Sequence, residues 1–416
     1  MKTTIRTTVG AVLAGAVLSA TAATPALATP VPSAPLPSAP VLSASAAKSG
    51  HDGVQKVLDR AVAEGGLPGA VAEVRDGHRR WYGGAGVADT ATGRARHPQD
   101  RFRIGSTTKT FVATVVLQLA AEGRLSLDDS VDHWLPGVVD GPGYQPDRIT
   151  VRQLLNHTSG VFNYVMDEDV QRKAGGPAFL RHRFDDYTPA QLVGIAMHHR
   201  PDFAPGTGWT YSDTNYVLAG LIVERATGTT LAEQIEQRIS APLGLGSTST
   251  PAPSDITVHG PHGREYTRLG DPHPDAPVYD VTELSPSWGW ASGDMISTVG
   301  DLDTFFAALL GGRLLPPAQQ REMFTMIPTP PKTWIENTAY GLGVSSITLS
   351  CTTVWGMGGA INGSWTYTYG SRDGRHLLST NVNGDWTNGT WKSGAWPIGV
   401  FTDELEAEFC PSATGA

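Results

Sequence analysis

Residues 103–109 read Arg-Ile-Gly-Ser-Thr-Thr-Lys and open an apolar run that extends over residues 110–119. The spacing of the apolar residues predicts a helix, in which residues three positions apart share a face. We therefore expect the hydroxyl of Ser106 and the amine of Lys109 to meet at its first turn. The ordinary alternative is that Ser106 caps the helix and Lys109 lies on the surface.

This pair of side chains has the chemistry of a nucleophile and its base. Serine is a weak nucleophile at neutral pH and requires a neighbouring base. A lysine serves only where burial or positive surroundings lower the pKa of its ammonium group. The N-terminus of a helix supplies such surroundings, and its free N–H groups also suit an oxyanion. Ser106 and Lys109 are therefore candidates for acyl transfer.

The N-terminal residues have the pattern of a targeting segment. Lys2 and Arg6 precede an apolar run over residues 9–20 and the small residues 26–28, Ala-Leu-Ala. This order is typical of a secretory signal peptide, which we expect to span residues 1–28. The alternative, a transmembrane anchor, is disfavoured because a span requires about 20 apolar residues. We expect a secreted, extracellular protein without a transmembrane segment in its mature chain.

Composition divides the rest of the chain. Residues 29–50 are rich in Pro, Ala and Ser and nearly uncharged, which predicts a flexible linker. Residues 51–413 are numerous enough to bury one large core or two smaller lobes. The chain has 31 basic and 40 acidic residues and a formal net charge of −9. This negative charge argues against nucleic acid or an anionic membrane as a partner.

Strand signals lie near both ends of the chain, and helical signals lie between them. Residues 76–77, Asp-Gly, indicate a tight hairpin, and a helix from His51 precedes it. The predicted strands cover residues 70–75, 78–83, 342–347, 352–355, 364–370 and 376–381. The later predicted helices start at residues 125–129 (ending before Pro136) and cover 151–156, 189–198, 216–227, 231–239 and 402–409.

This order predicts an α+β fold: an antiparallel sheet flanked by helices, with an inserted all-helical lobe. We place the sheet lobe at about residues 51–124 and 286–413 and the helical lobe at about residues 125–285. Ser106 would then lie where the two lobes meet, which is a common position for an active site.

A second motif contains a candidate proton carrier. Residues 210–216 read Thr-Tyr-Ser-Asp-Thr-Asn-Tyr. Tyrosine titrates near pH 10, so Tyr211 could act as a base only beside a cation such as Lys109. The alternative is that Tyr211 is a half-buried turn residue.

With these motifs, the chain resembles the β-lactamase/transpeptidase-like family of D-alanyl-D-alanine carboxypeptidases and class C β-lactamases, in particular the secreted actinobacterial branch. The matching residues occur in the family order over about residues 51–410: 102–109, Phe-Arg-Ile-Gly-Ser-Thr-Thr-Lys; 149–160, Ile-Thr-Val-Arg-Gln-Leu-Leu-Asn-His-Thr-Ser-Gly; 211–216, Tyr-Ser-Asp-Thr-Asn-Tyr; 301–306, Asp-Leu-Asp-Thr-Phe-Phe; and 340–343, Tyr-Gly-Leu-Gly.

The resemblance implies catalysis through an acyl-enzyme. Ser106 would be the nucleophile, with Lys109 hydrogen-bonded to it. Tyr211 would accept the serine proton and pass it to the leaving group. The backbone N–H groups of Ser106 and Ala360 would form the oxyanion hole. The resemblance implies neither a cofactor nor a metal ion.

Departures from the family pattern concern the substrate. Asp213 replaces the usual asparagine, so a side chain that donates hydrogen bonds gives way to one that, when ionised, only accepts them. In the third motif, Met357 and Gly358 replace the usual basic and hydroxyl residues, and Gly359 follows. A carboxypeptidase binds a terminal carboxylate through charge-assisted hydrogen bonds, for which these positions offer no donor. The family's aromatic wall falls at Trp288, although tryptophan is as often a core residue.

Cys351 and Cys410 are the two cysteines of the chain. An even number in a secreted protein favours a disulfide, and the alternative is a pair of buried thiols. Both cysteines also have counterparts in the related branch.

We therefore expect a secreted serine acyl hydrolase that resembles a D-alanyl-D-alanine carboxypeptidase or reacts with penicillins. Its substrate would be a small molecule or a peptide, such as a peptidoglycan stem peptide, an ester or a β-lactam. One alternative is an esterase or a D-amino-acid amidase or aminopeptidase, which need not bind a terminal carboxylate. Another is an inactive protein that binds penicillins or peptidoglycan stems.

Overall fold

A computed structural model describes residues 50–389, 391 and 396–411 of the chain. The expected signal peptide, residues 1–28, and the linker up to residue 49 lie outside the described residues. These boundaries and the division into two lobes therefore stay predictions.

The described residues form helices of 3 to 15 residues. The helices are α1 (Asp52–Ala63), α2 (Thr108–Ala121), α3 (Val131–Trp134), α4 (Val151–Leu155), α5 (Glu168–Ala174), α6 (Phe179–His182), α7 (Pro189–Met197), α8 (Asp213–Thr227), α9 (Leu231–Ile235), α10 (Ala241–Leu243), α11 (Val299–Leu310), α12 (Pro317–Met323) and α13 (Ile398–Phe409).

The strands lie mainly before α2 and after α12. They are β1 (Gly69–Asp76), β2 (Arg79–Asp89), β3 (Arg94–Ala95), β4 (Phe102–Arg103), β5 (Tyr266–Thr267), β6 (Tyr279–Asp280), β7 (Ile296–Ser297), β8 (Ile327–Pro328), β9 (Thr338–Tyr340), β10 (Ser345–Thr348), β11 (Thr353–Ile361), β12 (Ser364–Gly370) and β13 (His376–Val382).

Nine strands form one antiparallel sheet in the order β3-β2-β1-β13-β12-β11-β10-β9-β8. The two ends of the chain meet at its centre, where Ala70 of β1 lies opposite Val382 of β13. The predicted hairpin is present: Asp76 lies opposite Arg79, and Gly77 has a φ of 61°, which glycine adopts without strain. The antiparallel sheet with flanking helices confirms the α+β prediction.

Helices cover both faces of this sheet. In β1, Ala70 and Ala72 pack in a core with α1 and α13, whereas Val71 faces the larger core of α2, α8 and α11. This alternation is the two-residue period of a strand that is buried on both sides. Most of the 14 residues of α2 are buried, and Phe111 stacks on Phe305 of α11 at 3.7 Å between ring centroids. The central helix α2 therefore fixes the segment before it between the sheet and the helical region.

The prediction that a helix starts at residues 125–129 is wrong. The Asp129 side chain accepts a hydrogen bond from the Ser126 N–H at 2.7 Å and another from Trp134 Nε1 at 3.0 Å, and the helix α3 begins only at Val131. Short polar side chains that bind nearby backbone groups compete with helix formation in this way. Ser130 then caps α3 by accepting from the His133 N–H.

Cys351 and Cys410 form a disulfide with 5.8 Å between their Cα atoms. The bond joins the turn between β10 and β11 to the end of α13. It therefore ties the half of the sheet that contains β11 to the closing helix. In the described part of the chain, no helix is both long enough and apolar enough to be a membrane span.

Candidate active site

Ser106 lies in a 3₁₀ turn, Gly105–Thr107, directly before α2, and Lys109 lies in the first turn of that helix. Gly105 has a φ of 49°, and a Cβ atom there would lie 2.7 Å from the backbone N and O of Ala360. Glycine therefore permits both the positive φ and the close approach of the turn to β11.

The structure brings together the three side chains that the sequence proposed as catalytic. Lys109 Nζ donates to Ser106 Oγ at 3.0 Å, and Tyr211 Oη donates to the same oxygen at 2.8 Å. The three side chains come from the turn, from α2 and from the residues just before α8. Their contact gives the hydroxyl of Ser106 two polar neighbours through which a proton can move.

Lys109 has no solvent exposure, and its amine has three oxygen partners. Besides Ser106, Nζ donates to Asp213 Oδ1 at 2.6 Å and to the Ser292 carbonyl at 2.7 Å. Three donors facing three acceptors is the pattern of an ammonium group. Burial lowers the pKa of Lys109, and the Asp213 carboxylate opposes this shift. Lys109 thus donates to Ser106, which leaves Tyr211 as the side chain that can take the serine proton.

Tyr211 is held as a neutral phenol in the resting site. Burial raises the pKa of Tyr211 well above its ordinary value of 10, and the negative charge of Asp213 raises it further. The neutral phenol is the form that can protonate a leaving group. To accept the proton of Ser106, Tyr211 must first become a phenolate. Lys109 Nζ lies 4.8 Å from the centre of the Tyr211 ring and is the nearby cation that stabilises this form.

His157, from the motif at residues 149–160, packs against Tyr211. It is fully buried, and its Nδ1 accepts from the Ser212 N–H and from Asn215 Nδ2, both at 3.2 Å. Its ring lies 4.4 Å from the Tyr211 ring between centroids. Burial, and next the charge of Lys109, lower the pKa of His157 well below 6.5, so the imidazole is neutral at physiological pH. The motif at residues 149–160 was a signal for this role, but the contact depends on the tertiary fold.

The predicted oxyanion donors lie on two segments that touch. A Cβ atom on Gly359 would lie 1.9 Å from the Ile104 carbonyl oxygen and 2.9 Å from the Ser106 nitrogen. Only glycine therefore fits at this position of β11. The contacts of Gly105 and Gly359 keep the backbone amides of Ser106 and Ala360 beside each other, which supports their proposed role in an oxyanion hole.

A cavity of about 440 Å³ opens beside Ser106 and Tyr211. Strand β11 contributes Met357 and Gly358, so these two candidates are placed in the cavity as the sequence proposed. Within the described part of the chain, no side chain that lines the cavity belongs to Asp, Glu, Lys, Arg or His. The full lining, in which most side chains are apolar or aromatic, is Ser106, Tyr211, Thr333, Trp334, Ile335, Thr338, Tyr340, Ser345, Met357, Gly358, Gly359, Ala360, Trp365, Tyr367, Tyr369 and Ile398.

Two proposed substrate-binding residues lie outside this lining. Asp213 contacts Lys109 instead, and its second carboxylate oxygen accepts from Asn163 Nδ2 at 3.2 Å. Trp288 packs against Tyr187, with 5.0 Å between ring centroids. The structure therefore places Asp213 in contact with the Lys109 ammonium group. It places Trp288 in an aromatic contact outside the lining of the cavity.

The sequence reasoning missed the aromatic walls of the cavity. Trp365, Tyr367 and Tyr369 alternate along β12, and a two-residue period puts such side chains on one face of a strand. That alternation was a usable signal. Trp334, which stacks on Tyr211 at 4.6 Å between centroids, belongs to a turn without a comparable signal. Among the described residues, no group of three or more His, Cys, Asp or Glu side chains is placed to hold a metal ion.

Comparison with known proteins places this arrangement in a family. A family model described as Beta-lactamase matches residues 54–394. A solved D-stereospecific amidohydrolase from a Streptomyces species is 47% identical with a TM-score of 0.78, over 87% of this chain and 99% of that one. A D-amino acid amidase from Ochrobactrum anthropi SV3, complexed with L-phenylalanine amide, is 28% identical with a TM-score of 0.73, over 88% and 99% of the two chains.

Curated relatives match over shorter regions. The Protein flp of Staphylococcus aureus (strain N315) is 29% identical over 251 residues, which are 60% of this chain and 47% of that protein. The Esterase EstB of Burkholderia gladioli is 36% identical over 198 residues, which are 45% and 48% of the two chains. The chain thus spans about half the length of the curated relatives that it matches.

We predict that Ser106→Ala and Lys109→Ala each lower ester hydrolysis to less than about a tenth of the wild-type kcat, because nucleophile and proton partner act as a unit. Steady-state kinetics with a chromogenic ester, together with circular dichroism of each variant, measure activity and folding. Lys56→Ala, which removes an exposed lysine on α1, is the control and should retain full activity. Folded variants with more than a tenth of the wild-type turnover would return Ser106 to the role of a helix cap.

We predict that Asp213→Asn shifts the pH profile of kcat/KM toward lower pH. The Asp213 carboxylate raises the pKa values of both Lys109 and Tyr211, so its removal lowers both. Asp294→Asn is the matched control, because it changes another buried carboxyl that is not among the groups that shift the pKa of Lys109 or of Tyr211. A profile that stays in place, or that moves to higher pH, would contradict the charge coupling between Asp213 and these groups.

Proposed function

The chain belongs to the beta-lactamase family of serine hydrolases, and we propose that it hydrolyses amides and esters of D-amino acids through an acyl-enzyme on Ser106. The observation that carries this proposal is the cavity beside Ser106 and Tyr211, in which none of the described lining residues has a charged side chain. Such a cavity accepts a neutral or apolar group and offers no cation to a terminal carboxylate. The similarity to a D-stereospecific amidohydrolase and a D-amino acid amidase supports the same substrate class.

In the proposed reaction, Tyr211 carries one proton during acylation of Ser106 and one during hydrolysis of the acyl-enzyme. The reaction starts when the Tyr211 phenol, which is the resting form, releases its proton to water in the cavity. Ser106 Oγ then attacks the carbonyl carbon while its proton passes to the Tyr211 phenolate, and the N–H groups of Ser106 and Ala360 stabilise the oxyanion. Tyr211 then returns the proton to the leaving amine or alcohol as its bond to carbon breaks. A water molecule attacks the acyl-enzyme and gives a proton to Tyr211, which passes it back to Ser106 Oγ. The products are a carboxylic acid and an amine or an alcohol.

The carboxypeptidase activity that the resemblance implied is the second candidate. It would use the same Ser106, Lys109 and Tyr211, which is the observation in its favour. Its leaving group is D-alanine, whose carboxylate requires charge-assisted donors on the side of Tyr211. Met357 occupies the family's basic position there and is apolar. We therefore rank this activity below hydrolysis of neutral amides and esters. Reaction with penicillins, whose carboxylate poses the same problem, ranks with it.

A catalytically inactive binding protein fits the site less well. An inactive relative needs no hydrogen-bonded network around a serine, whereas Ser106 Oγ here receives hydrogen bonds from both Lys109 and Tyr211. Burying the Lys109 ammonium costs free energy that Asp213 and Ser292 only partly offset, and such a cost is typical of a functional site.

We also propose that the mature protein acts outside the cell. The signal-peptide pattern of residues 1–28 supports this proposal, and so does the Cys351–Cys410 disulfide, because such bonds form and persist in oxidising compartments. We expect protein recovered from culture medium to begin near Thr29 and to have no titratable thiol when unfolded without reductant. Intact protein that remains in the cytoplasm with two free thiols would refute secretion.

We predict that kcat/KM for D-phenylalanine amide and its simple esters exceeds that for a peptide ending in D-Ala-D-Ala by at least about tenfold, or about 1.4 kcal/mol of transition-state stabilisation. Steady-state assays at neutral pH, with L-phenylalanine amide as the stereochemical control, measure this difference. Met357→Lys should raise the rate on the peptide selectively, with Met357→Leu as its matched control. Efficient release of D-alanine by the wild type would restore the carboxypeptidase assignment.

A further inference from the structure

Trp396 is one of the few large apolar side chains that the described part of the chain leaves exposed. Its exposed fraction is 47%, and its ring stacks on that of Trp365 with 5.6 Å between centroids and 18° between planes. Exposed aromatic surface is unfavourable in water, by about 25 cal/mol for each Å² that a contact would remove. Exposed apolar surface that is contiguous with a pocket is one of the marks of a ligand-binding groove.

The Trp365–Trp396 pair lines a second pocket that shares two lining residues with the catalytic cavity. This pocket has a volume of about 270 Å³. Ala360 and Trp365 line both spaces, and they lie opposite each other on β11 and β12. The second pocket therefore adjoins Ala360, the proposed oxyanion donor, beside which the substrate carbonyl would lie. Its lining is Ala174, Gly175, Leu269, Gly270, Ala360, Ile361, Asn362, Trp365, Asp385 and Trp396.

The position of Tyr211 decides which part of a substrate enters which space. Tyr211 protonates the leaving group, so the leaving group must face it. Tyr211 lines the larger cavity and is not in the lining of the second pocket. The leaving group therefore points into the larger cavity. The acyl group extends in the opposite direction, past Ala360 toward Ile361 and Asn362 at the end of β11.

The charge of the second pocket further restricts which acyl groups it can accept. Among the described residues that line it, only Asp385 has an ionisable side chain, and this residue is 7% exposed. Its Oδ2 already accepts from the Gly363 N–H at 3.2 Å. This carboxyl group disfavours an anionic acyl group, and the two tryptophan rings favour a flat apolar one.

We propose that Trp365 and Trp396 form an acyl-side subsite that selects substrates with an aromatic or large apolar acyl group. This inference rests on the proposed function and assigns its acyl specificity. In a D-amino acid amide or ester, the selected group is the side chain of the D-amino acid. The apolar cavity on the side of Tyr211 sets the choice of leaving group independently.

The test compares 4-nitrophenyl acetate with 4-nitrophenyl phenylacetate, which differ in the acyl group and share a leaving group. Wild type should prefer phenylacetate in kcat/KM. Trp396→Ala should lower this preference about tenfold with little change for acetate, and Trp396→Phe should retain most of it. Trp334→Ala, on the opposite side of Ser106, is the matched control: it should alter rates for different leaving groups and keep the acyl preference.

A binding measurement keeps the inference testable without turnover. In the Ser106→Ala background, calorimetry should show that phenylacetamide binds more tightly than acetamide and that Trp396→Ala removes the difference. The inference would be overturned if Trp396→Ala lowered kcat/KM equally for both acyl groups, or if it left the acyl preference as unchanged as Trp396→Phe does. Either result would leave the proposed function intact. Wild-type protein that cleaves none of these esters or D-amino acid amides would instead overturn the proposed function.

Discussion

The buried ammonium group of Lys109 is the constraint on which the catalytic site depends. An unpaired charge in the interior costs several kcal/mol, so its three hydrogens must all find acceptors. The acceptors come from the turn before α2, from the first residue of α8 and from the carbonyl of Ser292. These segments are far apart in sequence, and Lys109 joins them at one point. The same hydrogen bonds fix the position of Ser106 beside Tyr211. The three hydrogen bonds of Lys109 therefore both stabilise the buried charge and orient the nucleophile.

A second constraint is steric and acts through the backbone. Gly105 and Gly359 let the nucleophile turn and β11 approach so closely that a Cβ atom on either would collide. Because the proposed oxyanion donors are backbone N–H groups on these two segments, the acylation chemistry does not depend on the side chains of β11. Met357 and Gly358 can therefore differ from the family's basic and hydroxyl residues and change what is bound without changing how it is attacked.

Local patterns predicted the parts of the structure that local physics determines. The contact of Ser106 with Lys109 follows from a three-residue spacing, and the Asp76-Gly77 hairpin follows from the positive φ that glycine permits. The end of β11 was missed because residues 356–359, Gly-Met-Gly-Gly, disfavour a strand by propensity. The glycine at position 359 is explained by a tertiary contact, because β11 there approaches the turn before α2 too closely for a Cβ atom. The aromatic walls likewise depend on the register of β12 against β11.

The replacement of asparagine by Asp213 is explained by charge rather than by substrate contact. Asp213 neutralises Lys109, and its second oxygen accepts from Asn163, so it has no hydrogen to offer a substrate. A site that lacks this donor, and in which the described wall of the cavity has no charged side chain, must orient its substrate by shape. Aromatic surfaces on both sides of Ser106 supply that shape: Trp334 on the leaving-group side and Trp396 on the acyl side. Specificity in this chain therefore depends on packing against tryptophan, which distinguishes the size of a group far better than its charge.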